Sequence, residues 1–110
     1  MYKIVGTSIE LTRGDSFYCR VGMKNKSDGT DYVAQQGDTV RFALKKKYKD
    51  DTPLVLKDIP VDTKILHLEP SDTKPLEVGD YVYDIELTTV DGDVDTFIDR
   101  AKFKITEEVY

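Results

Sequence analysis

Residues 15–24 read Asp15-Ser16-Phe17-Tyr18-Cys19-Arg20-Val21-Gly22-Met23-Lys24, and residues 79–88 read Gly79-Asp80-Tyr81-Val82-Tyr83-Asp84-Ile85-Glu86-Leu87-Thr88. In the first stretch Phe17, Cys19, Val21 and Met23 share one parity, while Tyr18, Arg20, Gly22 and Lys24 take the other. In the second, Tyr81, Tyr83, Ile85 and Leu87 alternate with Val82, Asp84, Glu86 and Thr88. Successive side chains of a strand point to opposite faces, so each stretch predicts a strand with one face buried.

The same period extends outward along the chain. Val40, Phe42 and Leu44 alternate with Arg41, Ala43 and Lys45, and Phe97, Ala101, Phe103 and Ile105 mark a last strand in which Ile98 and Asp99 disturb the parity. A bulge near Asp99-Arg100 is expected there. Leu54-Val55-Leu56 and Ile65-Leu66-His67-Leu68 flank Pro60, which cannot donate to an interior ladder, and so suggest edge strands or a strand that changes sheets. Turn residues separate these segments. Asn25-Lys26-Ser27-Asp28-Gly29-Thr30 predicts a hairpin into Tyr32-Val33-Ala34, and Gln36-Gly37-Asp38 a second turn. Glu69 to Gly79 leaves room for one short helical turn, and Asp91-Gly92 predicts a type I′ hairpin. The sum is an all-β domain over residues 1–110, of about seven to nine short strands, the pattern of an antiparallel β-sandwich.

Composition narrows the function. The chain carries 21 Asp and Glu against 16 Lys and Arg, a net of -5, which argues against a nucleic-acid partner held by a basic footprint. No segment approaches the roughly 20 apolar residues that span a bilayer, and Met1-Tyr2-Lys3-Ile4-Val5 is not followed by the apolar core of a secretion signal. A soluble protein made in the cytoplasm is expected, with no membrane partner. One cysteine excludes an internal disulfide and a thiolate metal cluster.

Candidate chemistry is sparse. Cys19 lies on an apolar parity and reads as a small buried hydrophobe, and His67, opposite Leu66 and Leu68, reads as a solvated or edge residue. Paired carboxylates suit a glycosidase, but such a site needs a cleft, and the chain has no Trp to stack on sugars. Asp91-Gly92-Asp93-Val94-Asp95 superficially resembles a calcium loop, yet Thr96 and Lys102 stand where an EF-hand needs Gly and Glu. Arg13-Gly14-Asp15 spells an integrin-binding tripeptide and equally suits a turn entering the next strand. Lys45-Lys46-Lys47-Tyr48-Lys49 is followed by Asp50-Asp51, which offset its field, and reads as a loop tip. The expectation is a non-enzyme without catalytic residues, cofactor or metal.

Two resemblances bear on role. Leu68-Glu69-Pro70-Ser71-Asp72-Thr73, Leu76, Gly79 and Tyr81-Val82-Tyr83-Asp84-Ile85 resemble the corner between strands E and F of immunoglobulin-like sandwiches. There an early strand-F Tyr returns its hydroxyl to the corner backbone. The resemblance implies structural roles for Tyr81, Gly79 and Asp72, with Tyr83 as the alternative tyrosine. Over nearly the full length, Leu11-Thr12-Arg13-Gly14-Asp15, Gly37-Asp38-Thr39-Val40-Arg41-Phe42, Ile59-Pro60, Tyr83-Asp84-Ile85 and Val94-Asp95-Thr96-Phe97 resemble small prophage-encoded proteins of Gram-positive bacteria. More loosely, the chain is similar to the N-terminal β-sandwich domain of phage upper-baseplate proteins.

That second resemblance implies a structural or adaptor module of a phage tail or baseplate. It would be made in the bacterial cytoplasm, assembled into a virion, and partnered by copies of itself and other virion proteins. Residues 2 to 12 and 54 to 68 are the candidate edges for added strands. The alternative is a carbohydrate- or cell-surface-binding sandwich that uses exposed Tyr18, Tyr32 and Tyr48 as a stacking platform for a glycan.

Overall fold

The computed structural model describes residues 2–24 and 28–107. Among these residues, eight strands and one helical turn run in the order β1 Tyr2–Val5, β2 Ser8–Thr12, β3 Phe17–Arg20, β4 Thr39–Lys45, β5 Val55–Ile59, β6 Ile65–Leu68, α1 Pro70–Thr73, β7 Gly79–Thr88 and β8 Val94–Thr106. They form a six-stranded sheet, β1-β2-β8-β7-β4-β5, and a two-stranded sheet, β3-β6. All pairs are antiparallel except β2 with β8, where Ile9 faces Phe103 and Leu11 faces Ile105 in parallel. The expected antiparallel sandwich is corrected at this one pair, because the strands near the two ends of the chain run the same way and lie side by side.

The core forms where the alternating residues meet. Val40, Phe42, Leu44, Tyr81, Tyr83, Ile85, Leu87, Ala101, Phe103 and Ile105 are buried on one face of the large sheet. Phe17, Leu66 and Leu68 are buried on the small one. The aromatic centre is Phe42, Tyr83 and Phe103, with Tyr83 edge-on to Phe103 at 6.1 Å and tilted against Phe42 at 5.4 Å. Edge-on and tilted packing suits aromatic quadrupoles and fills the gap between sheets.

Three local expectations are corrected. The alternation through Met23 holds in burial, but β3 pairs with β6 rather than with residues 32–34. Among the described residues, that hairpin keeps the bridge between Lys24 and Asp31 and the bond from Tyr32 N to Met23 O. Of its turn, Asn25, Lys26 and Ser27 lie outside the described residues, as do Met1 and residues 108–110.

The β7–β8 turn is not type I′, which requires positive φ at both central residues. Of the turn residues only Gly92 has it, at 91°, and Thr89 N donates to Asp93 O while Gly92 N donates to Thr89 O. The turn is therefore a three-residue loop closed by a left-handed glycine. Finally, β2 is not an edge, since it lies between β1 and β8. The open edges are β1, β5, and both strands of the small sheet.

The bulge near Asp99-Arg100 is present. The register slips between Tyr83 paired with Ala101 and Ile85 paired with Ile98, and Arg100 takes a φ of 50°. Its N–H, turned off the ladder, donates to Asp84 Oδ1 at 2.6 Å. That bond supplies a partner for a group that the extra residue would leave unpaired.

Candidate functional site

The corner between β6 and β7 is held by several bonds to its side chains and backbone. Pro70 opens α1, as its missing N–H and fixed φ allow. The Asp72 carboxylate accepts from Glu69 N at 2.7 Å and pairs with Lys57 Nζ on β5 at 3.0 Å. Fully buried Thr73 accepts from Gly14 N at 2.9 Å. The Tyr81 hydroxyl donates to Glu77 O at 2.6 Å, and the Tyr83 hydroxyl reaches instead to Thr7 O. Gly79, at a φ of 150°, starts β7 in a conformation side-chain-bearing residues avoid, with Lys46 Nζ 3.2 Å from where a Cβ would stand.

The corner therefore also holds the Arg13-Gly14-Asp15 segment. Gly14 sits at a φ of 81°, Asp15 N donates to Thr12 O, and Arg13 N donates to Thr106 O. These bonds make the tripeptide a turn tied to α1 and β8. The reach from Thr73 to Gly14, 59 residues away, has no local sequence signal.

The three tyrosines of the stacking platform occupy three settings. Tyr18, 57% exposed, lies on the outer face of β3 and stacks on His67 of β6 at 4.1 Å and 7°. Tyr48, 50% exposed, sits in the loop after β4 with the Arg100 guanidinium 5.1 Å from its ring. Tyr32 is half-buried rather than exposed. Its ring tilts against Phe97 at 5.8 Å, and its hydroxyl donates to buried Asp38 at 2.6 Å. Asp38 also accepts from Gln35 N at 2.8 Å, so one carboxylate orders the loop from Tyr32 to β4.

Titration behaviour follows these contacts. The bond to Asp38, then burial, raises the Tyr32 phenol. Burial raises Tyr81, with the nearby Glu77 charge adding and its backbone bond opposing. Burial pushes Tyr83 up to about 12. Cys19, half-buried against the core, is raised by burial, which suppresses the thiolate that reacts. These hydroxyls are neutral hydrogen-bond donors at neutral pH, and the thiol is held in its unreactive form.

Among the described residues no group of three or more His, Cys, Asp or Glu gathers closely enough to hold a metal ion. Asp91, Asp93 and Asp95 stand exposed on the β7–β8 hairpin and its return strand. The lysine run after β4 is a tight turn, with Lys47 N donating to Asp50 Oδ2 and Asp50 N to Lys47 O, each at 3.0 Å. Among the described residues no helix is long and apolar enough to cross a membrane.

One feature escaped sequence reading. A cleft of about 530 Å³ opens over β1, β2, β8 and the start of β7, and Lys3, Lys46, Lys102 and Lys104 border it. The available signal was parity: Lys102 and Lys104 alternate with buried Ala101, Phe103 and Ile105 and so had to face outward. What the surface offers chemically is thus unpaired strand edges, an exposed ring stack and a cationic cleft. Comparison of the chain with protein-family profiles, with curated proteins and with solved structures found no match.

Proposed function

We propose that this chain is an immunoglobulin-like β-sandwich serving as a non-catalytic structural or adaptor module of a phage or prophage tail or baseplate. It acts through contacts with copies of itself and with neighbouring virion proteins. The strand order supports the fold reading. With β3 as B, β4 as C, β6 as E, β7 as F and β8 as G, the large sheet contains C, F and G, and B pairs with E across the core. Tyr81, early in the F-like strand and bonded four residues back, fits the tyrosine corner of that architecture.

The observation that carries the contact role is the open β5 edge. An edge strand presents unpaired N–H and C=O groups to another chain. Here Leu56 on the strand is 50% exposed, and Leu54 just before it 49%. The phage assignment rests on the sequence resemblance and on its fit to an all-β adaptor.

The test has two parts. Tail and capsid genes should adjoin the gene for this chain, and the chain, co-expressed with the adjoining tail products, should co-elute with one of them. Leu56→Lys, a charge of the kind that blunts natural edges, should abolish co-elution and leave the melting temperature unchanged. No tail genes nearby and no co-elution would remove the reading. A second reading, contact with a glycan, is favoured by exposed Tyr18 on its His67 stack, and glycan-array binding lost in Tyr18→Ala would support it.

A further inference from the structure

The outer face of the six-stranded sheet divides its charge unevenly. Pairing in register sets Lys3 beside Glu10, Glu10 beside Lys104, and Lys104 beside Asp80, across four strands. Lys102 stands one row further along β8, opposite Val82, and Lys46 leans in with Nζ 4.5 Å from the Tyr81 ring centroid. Around the cleft this makes four ammoniums against two carboxylates, Glu10 and Asp80, in a chain whose net charge is -5. Among the described residues, Lys3, Lys102 and Lys104 make no ion pair. Val82, on the outward parity of β7, lies in the floor of the cleft, and a volume of about 530 Å³ lies within the range of sites that enclose a compact ligand.

The complementary surface is on the same molecule. Residues 88–99 contain four Asp and no Lys or Arg. Asp91, Asp93 and Asp95 are all exposed, and between and beside them Val90 is 72% and Val94 60% exposed. The β7–β8 hairpin thus ends in a convex tip that is acidic and apolar together, which matches a concave site that is basic and apolar together. Tip and floor cannot meet within one chain. Strand β7 starts at the cleft and ends at the tip, ten residues later, which is roughly 30 Å of strand.

We propose that copies of this chain associate head to tail, the β7–β8 hairpin tip of one seated in the lysine-bordered cleft of the next. This inference rests on the protein-contact reading above and names the partner as a second copy. Tip and cleft are different surfaces, so the interface is heterologous and generates a ring if the rotation closes, or a filament if it does not.

Sedimentation velocity on the full chain tests this, at several protein concentrations and at low and high salt. The mass should rise with concentration and fall with salt, because the pairing charges are exposed. Asp91→Lys with Asp93→Lys at the tip, or Lys102→Glu with Lys104→Glu at the cleft, should each weaken association by about tenfold or more through like-charge contact. All four positions are exposed, and circular dichroism melts establish that each variant folds. An equimolar mixture of the two variants, and a single chain carrying all four changes, should both recover assembly, since opposite charges again face each other. A wild-type chain that stays monomeric, association indifferent to either reversal, or variants that fail to recover on mixing would overturn the head-to-tail contact. Indifference to reversal together with intact co-elution at the β5 edge would leave the adaptor reading standing, so the two failures are distinguishable.

Discussion

Tyr83 carries two jobs in one side chain, since its ring is edge-on to Phe103 in the core and its hydroxyl donates to Thr7 O. Only the neutral phenol donates, and burial lifts its pKa to about 12, above the usual value near 10. The folded-state value exceeds the unfolded one, so the stability it contributes is complete below about pH 10. It is lost as pH rises through about 12. Tyr83→Phe should therefore cost about 1 kcal/mol near neutrality, the worth of one hydrogen bond. Urea melts of both proteins should show that difference shrinking as pH climbs from about 10 toward the folded-state value. A difference that stays constant across that window would mean the hydroxyl does not titrate as its burial requires. At this scale the sequence was legible for side-chain direction, which parity sets. It was not legible for the acceptor of Tyr32. Asp38 is six residues away along irregular backbone, and no period connects the two.

Among the elements, the four-residue α1 joins the two sheets. Its Asp72 carboxylate accepts from Glu69 N at 2.7 Å and meets Lys57 of β5 at 3.0 Å, so the turn ties the edge of the large sheet to the strand leaving the small one. Asp72→Ala removes both contacts and should cost about 1–2 kcal/mol, as loss of a helix-start acceptor does. Asp72→Asn keeps an acceptor for Glu69 N and should cost less. In a Lys57→Met background the Asp72→Asn change should become nearly neutral, because the charge it removes no longer has a partner. Thermal melts of this double-mutant cycle measure the coupling directly, and Asn and Ala of equal cost would show that the Glu69 bond contributes nothing. Strands, bulge and helical turn were readable because each has a local cause in parity, proline or a disturbed period. The hairpin type was misread because Asp91-Gly92 suits two turns. The choice between them came from how far β7 and β8 extend before closing.

At the scale of the whole molecule, the arrangement depends on a contact no local pattern announces. Strand β2 lies parallel to β8, with Leu11 fully buried opposite Ile105, so residues near both ends of the chain complete the same sheet. Alternation marks Ile9 and Leu11 for burial but is silent on which strand they adjoin, since a parallel neighbour so distant in sequence is selected only when the sheet assembles. Closing so long a loop is entropically costly and is repaid only by the apolar surface it covers. Leu11→Ala should therefore destabilise by about 2–5 kcal/mol, as for a fully buried leucine in any core. The loss should also be uneven. Native-state hydrogen exchange should show Phe103 to Thr106 of β8 accelerated more than Val55 to Ile59 of β5, which sits at the opposite edge of that sheet. The amides of β1, bonded to β2 alone, should follow β2. Equal acceleration in β5 and β8 would mean that the β1–β2 hairpin opens only with the whole domain. The parallel pair would then be part of the single cooperative unit rather than its last-closed seam.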